Sequence, residues 1–134
     1  MANRVEEKNN VLICVTGQIS CERLIHAGVE IARRAGGTAY VLHVAQEGRS
    51  MLGYKHEPEA LEYLFGVSVK HGADMVVVHS ADVKGAIEQR AKELNAGTIV
   101  AGRALNYGGW DLLDDIQLRL PDVRMEIFST PRSE

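Results

Sequence analysis

The chain has 134 residues, of which 46% are hydrophobic and 25% are charged, a composition typical of one soluble globular domain. Fifteen lysines and arginines stand against eighteen aspartates and glutamates, so the net charge is −3 and we expect no nucleic-acid or anionic membrane surface. No apolar run approaches the roughly 20 residues of a membrane helix, and the polar N-terminus is not typical of a signal peptide. We therefore expect no membrane insertion.

The two cysteines indicate a reducing compartment. Cys14 lies inside an apolar strand pattern and Cys21 opens a helix pattern. Cysteines placed in this way are typical of free thiols rather than of a disulfide framework. We therefore expect a cytoplasmic protein.

The beginning of the chain predicts a β-α-β unit that follows a solvated arm at residues 1–10. The apolar run Val11–Val15 is typical of a strand buried on both faces, and Thr38–Val44 forms the next strand. Between them, Ser20 can cap a helix that the glycine pair at 36–37 ends.

A second helix-containing unit follows. A polar loop spans 45–57, and Pro58 suits the first turn of a helix that ends at His71. Asp74–His79 forms the third strand, and Asp82 caps the next helix. The apolar residues expected on the buried face of the first of these two helices are Leu61, Leu64, Phe65 and Val69.

The last part of the chain completes an alternating pattern. Thr98–Ala101 forms the fourth strand, Asp111 can cap a final helix, and the alternating polar residues of Val123–Phe128 indicate an edge strand. This order predicts an α/β fold, a three-layer open sandwich with a five-stranded parallel sheet covered on both faces. We expect a single domain over 11–129 and a tail at 130–134.

Three segments resemble the universal stress protein family: VLICVTGQISCE at Val11–Glu22, LHV at Leu42–Val44 and IVAGR at Ile99–Arg103. The turn at Thr16 and Gly17 more closely resembles the universal-stress-type domain of Kdp-type potassium-responsive sensor kinases. The resemblance implies an adenine nucleotide alpha hydrolase-like (Rossmann-like) sheet of order 3-2-1-4-5. It also implies a ligand across the carboxyl ends of the first and fourth strands, and dimerisation through the last strand.

ATP-binding members of that family carry a glycine pattern after the fourth strand: Gly, two residues, Gly, nine residues, then Gly with Ser or Thr. Carried onto this chain from Gly102, the second glycine falls on Leu105 and the closing pair on Asp115 and Ile116. The leucine side chain opposes a close backbone approach. Carboxylates at Asp114 and Asp115 repel phosphates by about 1 kcal/mol or more per close pair at an effective dielectric near 20. We therefore expect a degenerate ATP motif.

Two glycines before the last helix allow a second interpretation, in which a shifted loop binds phosphate. Gly108 and Gly109, with Arg103, can form a shifted phosphate loop, or they can simply let the chain turn. Cyclic di-AMP is not expected, because the Ser-x-Ser turn and the aromatic-Thr-Ala-x-Tyr strand of Kdp-type domains are missing. The candidate cofactor is ATP or AMP, and neither is certain. The candidate binding residues are Cys14, Val15, Thr16, Gly17, Val44, Gly102, Arg103, Gly108 and Gly109.

No spacing in the chain is typical of a Ser-His-Asp or Cys-His catalytic site, so we expect no enzyme, with slow ATP hydrolysis as the alternative. A metal site is a further alternative. His43 and His79 end neighbouring strands but need a third ligand such as Cys21, Asp82 or His56. The spacing matches no metal signature, which favours two hydrogen-bonded imidazoles.

The fifth strand is the expected partner surface. Met125, Ile127 and Phe128 at an open edge can pair with a second copy, while Arg124 and Glu126 could instead protect the edge of a monomer. We expect a universal-stress-type regulatory or sensory protein in stress or osmotic signalling. It would bind a ligand or a signalling protein without catalysis.

Overall fold

Strands and helices alternate along the whole described chain. In this computed structural model the described residues are 8–15, 21–46, 57–102 and 112–128. The strands are β1 (Asn10–Cys14), β2 (Ala39–Gln46), β3 (Asp74–Ser80), β4 (Ala96–Gly102) and β5 (Arg124–Phe128). The helices are α1 (Cys21–Ala35), α2 (Glu57–His71), α3 (Val83–Glu93) and α4 (Leu112–Arg119).

The five strands form one parallel sheet in the order β3-β2-β1-β4-β5, which confirms the expected order. β1 is central, and its Cys14 lies opposite Leu42 of β2 and Ala101 of β4. Within this sheet β5 pairs with β4 alone, so it is an edge strand, as its alternating pattern predicted. We call the side where the strands end, at Cys14, Gln46, Ser80, Gly102 and Phe128, the C-terminal edge. The side where they begin, at Asn10, Ala39, Asp74, Ala96 and Arg124, is the N-terminal edge.

Alternate strand positions supply two cores, one on each face of the sheet. α1 and α2 cover one face, where Ile13 and Val41 meet Ile25 and Leu64. α3 and α4 cover the other face. The buried residues of that second core include Leu12, Cys14, Leu42, Ile87, Ala91, Ile99, Ala101, Leu113, Ile116 and Leu120.

The helix ends follow the local chemistry of the sequence. Gly36 ends α1 with a φ of 78°, and Gly72 follows α2 with a φ of 79°, a backbone conformation that other residues rarely adopt. Asp82 caps α3, because its carboxylate accepts a hydrogen bond from the Gly85 backbone N–H at 3.0 Å. These predicted helix signals are confirmed.

All five strands differ from their predicted bounds by one or two residues at one end or both. β1 takes in Asn10, which the sequence had placed in the arm. β2 continues to Gln46 because that residue pairs with Ser80 of β3, so the predicted loop starts too early. β4 begins at Ala96, directly after Asn95, whose φ of 55° turns the chain out of α3. The predicted caps at Ser20 and Asp111 and the tail at 130–134 lie outside the described residues.

The buried face of α2 also differs from the prediction. Leu64 is buried as expected, but Phe65 and Val69 are 59% and 60% exposed. Val67 and Ser68 are buried instead, since residues three and four positions from Leu64 share its face of the helix. The Ser68 hydroxyl donates to the Leu64 carbonyl at 2.7 Å, which allows a polar side chain at a core position.

At the N-terminal edge one side chain joins β1 to both neighbouring connections. The Asn10 Nδ2 group donates to the Leu94 carbonyl oxygen at 2.8 Å. Its Oδ1 atom accepts from the Thr38 backbone N–H, also at 2.8 Å. Asn10 therefore fixes the end of α3 and the start of β2 relative to the central strand.

Candidate functional site

The carboxyl ends of β1 and β4 lie side by side at the centre of the C-terminal edge, where Cys14 is paired with Ala101. The chain leaves β1 toward α1 on one face and leaves β4 toward α4 on the other face. Connections that leave adjacent parallel strands in opposite directions create the crevice in which open α/β sheets bind ligands. The C-terminal edge between β1 and β4 is therefore the candidate site.

The end of β1 contributes buried side chains and hydrogen-bonded backbone groups to the candidate site. Cys14 and Val15 are each 3% exposed, and Cys14 faces the α3–α4 side while Val15 faces the α1–α2 side. The Val15 N–H donates to the Leu42 carbonyl at 3.0 Å. Burial raises the pKa of the Cys14 thiol to about 12, so the thiol is protonated at neutral pH and is not a nucleophile.

The imidazole of His43 is part of the same edge. His43 is 4% exposed, and its Nδ1 atom lies 3.0 Å from the Val15 carbonyl oxygen. Because a carbonyl oxygen only accepts hydrogen bonds, Nδ1 carries the proton in this contact. Val44, the next residue of β2, is half-buried against the α3–α4 core and is the one candidate residue that β2 contributes.

Gly102 ends β4 and is buried beside Leu24 and Phe128. A Cβ atom placed on Gly102 would lie 3.4 Å from Leu24 Cδ1 and 3.6 Å from the Phe128 carbonyl oxygen, which are tight to ordinary contact distances. Its φ is outside the left-handed region, so the backbone does not require glycine there. The fold therefore tolerates a methyl group at a position where the sequence carries none.

The structure brings four of the nine predicted binding residues to the C-terminal edge, and these are Cys14, Val15, Val44 and Gly102. The predicted contributions of Thr16, Gly17, Arg103, Gly108 and Gly109, and the obstructing Leu105, lie outside the described residues.

The two carboxylates at the start of α4 are not equivalent. Asp114 is exposed, whereas Asp115 Oδ2 accepts a hydrogen bond from the Lys84 ammonium group at 2.8 Å. Lys84 holds the pKa of the Asp115 carboxyl below its usual value, through that hydrogen bond and through charge attraction. The sequence pattern predicted the same repulsion of phosphate by both carboxylates and did not indicate Lys84. No local signal could have found Lys84, since it is 31 residues from Asp115 in the chain.

The two histidines proposed as metal ligands are placed differently from one another. His43 is buried and pairs in register with Val77, whereas His79 is exposed and lies opposite Ala45. Among residues 8–15, 21–46, 57–102 and 112–128, no group of three His, Cys, Asp or Glu side chains is arranged to hold a metal ion.

Comparison of the sequence with known proteins gives no match, since neither a protein-family model nor a curated protein is similar to it. The structure does have similar solved structures. One is a universal stress protein in complex with cAMP, with a TM-score of 0.63 and 18% identity over 91% of this chain and 97% of that one.

Two further structures have the same architecture. A universal stress protein from Archaeoglobus fulgidus in complex with dAMP has a TM-score of 0.60 and 20% identity, covering 91% of this chain and 97% of that one. A universal stress protein family protein from Arabidopsis thaliana with AMP bound has a TM-score of 0.59 and 17% identity, covering 93% and 94%. This chain has the universal stress protein fold.

None of the helices in the described part of the chain combines the length and the apolar character that crossing a membrane requires.

Proposed function

We propose that this chain binds an adenine nucleotide of the monophosphate class in the crevice at the C-terminal edge between β1 and β4. The observation that carries the proposal is the strand order, which makes the chain leave these adjacent strands toward opposite faces of the sheet. A small residue, Gly102, ends one of the two strands, and a glycine lets a ligand approach the backbone closely.

The ligand class is suggested by the similar structures. Three of those proteins are bound to cAMP, dAMP and AMP, which share adenine, a pentose and one phosphate. The candidate residues at the ends of the first two strands suit an adenosine. Cys14, Val15, Thr16 and Val44 would contact the base and the sugar, while Gly17, Gly102, Arg103, Gly108 and Gly109 would complete the site.

We infer that the role is regulatory rather than catalytic. Burial keeps the Cys14 thiol protonated, so this side chain is not an activated nucleophile. A sensory function in stress or osmotic signalling, as in the Kdp-type domains that the Thr16-Gly17 turn resembles, belongs to this proposal. Slow ATP hydrolysis is the competing function.

A homodimer through β5 is part of the same proposal. Ile127 and Phe128 on this edge strand are 36% and 39% exposed. Pairing with a second copy would give hydrogen-bond partners to the backbone N–H and C=O groups on the open side of β5. Sedimentation equilibrium should give twice the monomer mass, and Ile127→Asp should return it to the monomer mass. A wild-type monomer at all concentrations would remove the dimer.

The test of nucleotide binding is isothermal titration calorimetry with AMP and ATP on the wild type, Gly102→Ala and Gly66→Ala. Both substitutions add one methyl group, but Gly66 lies on α2, where a Cβ atom would meet open space. We expect the wild type to bind AMP, Gly102→Ala to bind it at least about tenfold more weakly, and Gly66→Ala to match the wild type.

Thermal denaturation provides the folding control for this series. Gly102→Ala should keep the wild-type melting temperature without ligand, because the added methyl group has room. A flat AMP titration of the wild type would refute the proposed function, and ADP release from ATP above that of a heat-inactivated sample would favour the ATPase alternative.

A further inference from the structure

An ion pair links the starts of the two helices on one face of the C-terminal edge. Lys84 is the second residue of α3, and Asp115 is the fourth residue of α4. The Lys84 Nζ atom donates to Asp115 Oδ2 at 2.8 Å, and the two side chains are 35% and 45% exposed. Both charges are therefore open to solvent at the starts of the helices that follow β3 and β4.

This pair is not what holds the two helices together. Ile87 of α3 and Leu113 and Ile116 of α4 are fully or almost fully buried in one core. A second ion pair, from Arg119 to Glu88 at 3.0 Å, joins the same helices farther along α3. Exposed ion pairs contribute little to stability. The main effect of the Lys84–Asp115 pair is therefore on the charge at the C-terminal edge.

The arrangement of charge differs from that of an ordinary phosphate site. An ammonium group beside a helix N-terminus attracts phosphate, since the N-terminal N–H groups and the helix dipole favour anions. Here the Lys84 ammonium group already donates a hydrogen bond to the Asp115 carboxylate. Asp114 adds an exposed negative charge in the same turn of α4. The three side chains together are therefore net negative at the start of α4.

We propose that the Lys84–Asp115 pair sets the phosphate-number specificity of the nucleotide site. Asp115 withholds the Lys84 ammonium group from the β- and γ-phosphates and keeps a negative charge beside them, so a nucleotide with one phosphate is accepted and a triphosphate is disfavoured. The inference rests on the proposed function, because it concerns which nucleotide enters the same crevice.

The experiment compares AMP and ATP affinities by isothermal titration calorimetry in buffer with EDTA, which keeps the charge of ATP unmasked. The variants are Asp115→Asn, Glu88→Gln and the double variant Lys84→Met with Asp115→Asn. The control Glu88→Gln removes one negative charge from the same helix pair, about 6 Å farther along α3 than Lys84.

We expect Asp115→Asn to raise the ATP affinity relative to that for AMP by about tenfold or more, the size expected for one charge about 8 Å from a phosphate at an effective dielectric near 30. Glu88→Gln should change the ratio by less than about threefold, since it lies farther from the edge. The double variant should return the ATP-to-AMP affinity ratio to the wild-type value, because the ammonium group that Asp115→Asn releases is then absent.

The outcomes separate this inference from the proposed function. If the wild type and all variants fail to bind AMP, both proposals are wrong. If AMP binds but Asp115→Asn leaves the ATP-to-AMP ratio unchanged, the proposed function stands and the specificity role is wrong. If Asp115→Asn and Glu88→Gln raise the ATP-to-AMP affinity ratio equally, the specificity role is also wrong, because the loss of one negative charge would then explain the rise. Cooperative unfolding of each variant, at a melting temperature close to that of the wild type, excludes misfolding as the cause.

Discussion

The glycines at the two edges of the sheet have different surroundings. At the N-terminal edge, a Cβ atom on Gly37 would overlap the carbonyl group of Asn9, and one on Gly97 would overlap the carbonyl oxygen of Lys8. At the C-terminal edge, a Cβ atom on Gly102 meets its neighbours at 3.4 Å or more. Packing therefore requires glycine at the N-terminal edge and does not require it at the end of β4.

The two edges also differ in the kind of contacts they make. The N-terminal edge is joined by backbone contacts and by the two hydrogen bonds of Asn10. The C-terminal edge carries exposed charges and a residue smaller than the fold needs. Substitutions at the N-terminal edge should have the larger effect on the free energy of unfolding, and nucleotide affinity should change only with substitutions at the C-terminal edge.

The largest expected effect is that of Gly37→Ala. The added methyl group would force the start of β1 away from the turn after α1, so we expect a loss of about 3 kcal/mol in the free energy of unfolding. Urea denaturation measures this change. Gly66→Ala is the matched control, and we expect it to be neutral or stabilising because its methyl group meets open space on a helix. Equal stability of the two variants would contradict the comparison.

The second effect is that of Asn10→Ala, for which we expect a loss of about 2 kcal/mol, since the Leu94 carbonyl and the Thr38 N–H lose their partner. Asn10→Asp keeps the acceptor for Thr38 and removes the donor to Leu94, so urea denaturation should place it between the wild type and the alanine variant. Neither variant should change AMP affinity, and a loss of AMP binding with intact folding would show that the two edges are not independent.

A smaller effect is expected at the C-terminal edge from Asp82→Ala, which removes the cap of α3 and should cost about 1 kcal/mol. Asp82→Asn keeps an oxygen for the Gly85 N–H and should stay close to the wild type in the same urea series. If both variants lose equal stability, the charge of Asp82 rather than its capping hydrogen bond stabilises α3.

The smallest effect is expected from the Lys84–Asp115 pair, and it depends on pH. The pKa of the Asp115 carboxyl is lower in the folded chain than in the unfolded chain, so the pair stabilises the fold above the ordinary aspartate pKa. This contribution is lost as pH falls through that value toward the lowered one. The melting temperatures of the wild type and Asp115→Asn should therefore differ slightly at pH 7 and converge as the pH falls below the usual aspartate pKa.

Asp114→Asn is the control for this series, because it removes a neighbouring carboxylate without breaking the contact with Lys84. A difference between the wild type and Asp115→Asn that stays constant as the pH falls below the usual aspartate pKa would show that the carboxylate of Asp115 is not the stabilising group.

Local chemistry allowed most of the fold to be predicted from the sequence. Buried parallel strands are continuous apolar runs, and Gly36 and Asp82 mark helix ends by conformational freedom and by hydrogen bonding. The strand order came from the family resemblance rather than from periodicity. Contacts between distant segments could not be predicted. The Gln46–Ser80 pairing lengthens β2, and the packing of α2 exposes Phe65.

The candidate site was predicted in part for the same reason. The positions of Cys14, Val15, Val44 and Gly102 follow from strand ends, which the sequence pattern locates to within two residues. The partner of Asp115 depends on how α3 packs against α4, and this is a tertiary contact with no sequence signal. Binding by these residues stays a prediction.

The most direct test of the account is an AMP titration of the uniformly ¹⁵N-labelled chain followed by amide chemical shifts. We predict saturable shifts for the amides of Val15, Val44 and Gly102 at the C-terminal edge, with the amides of Asn10 and Gly37 at the N-terminal edge unchanged. Saturable shifts confined to the N-terminal edge, or no shifts at millimolar AMP, would contradict it.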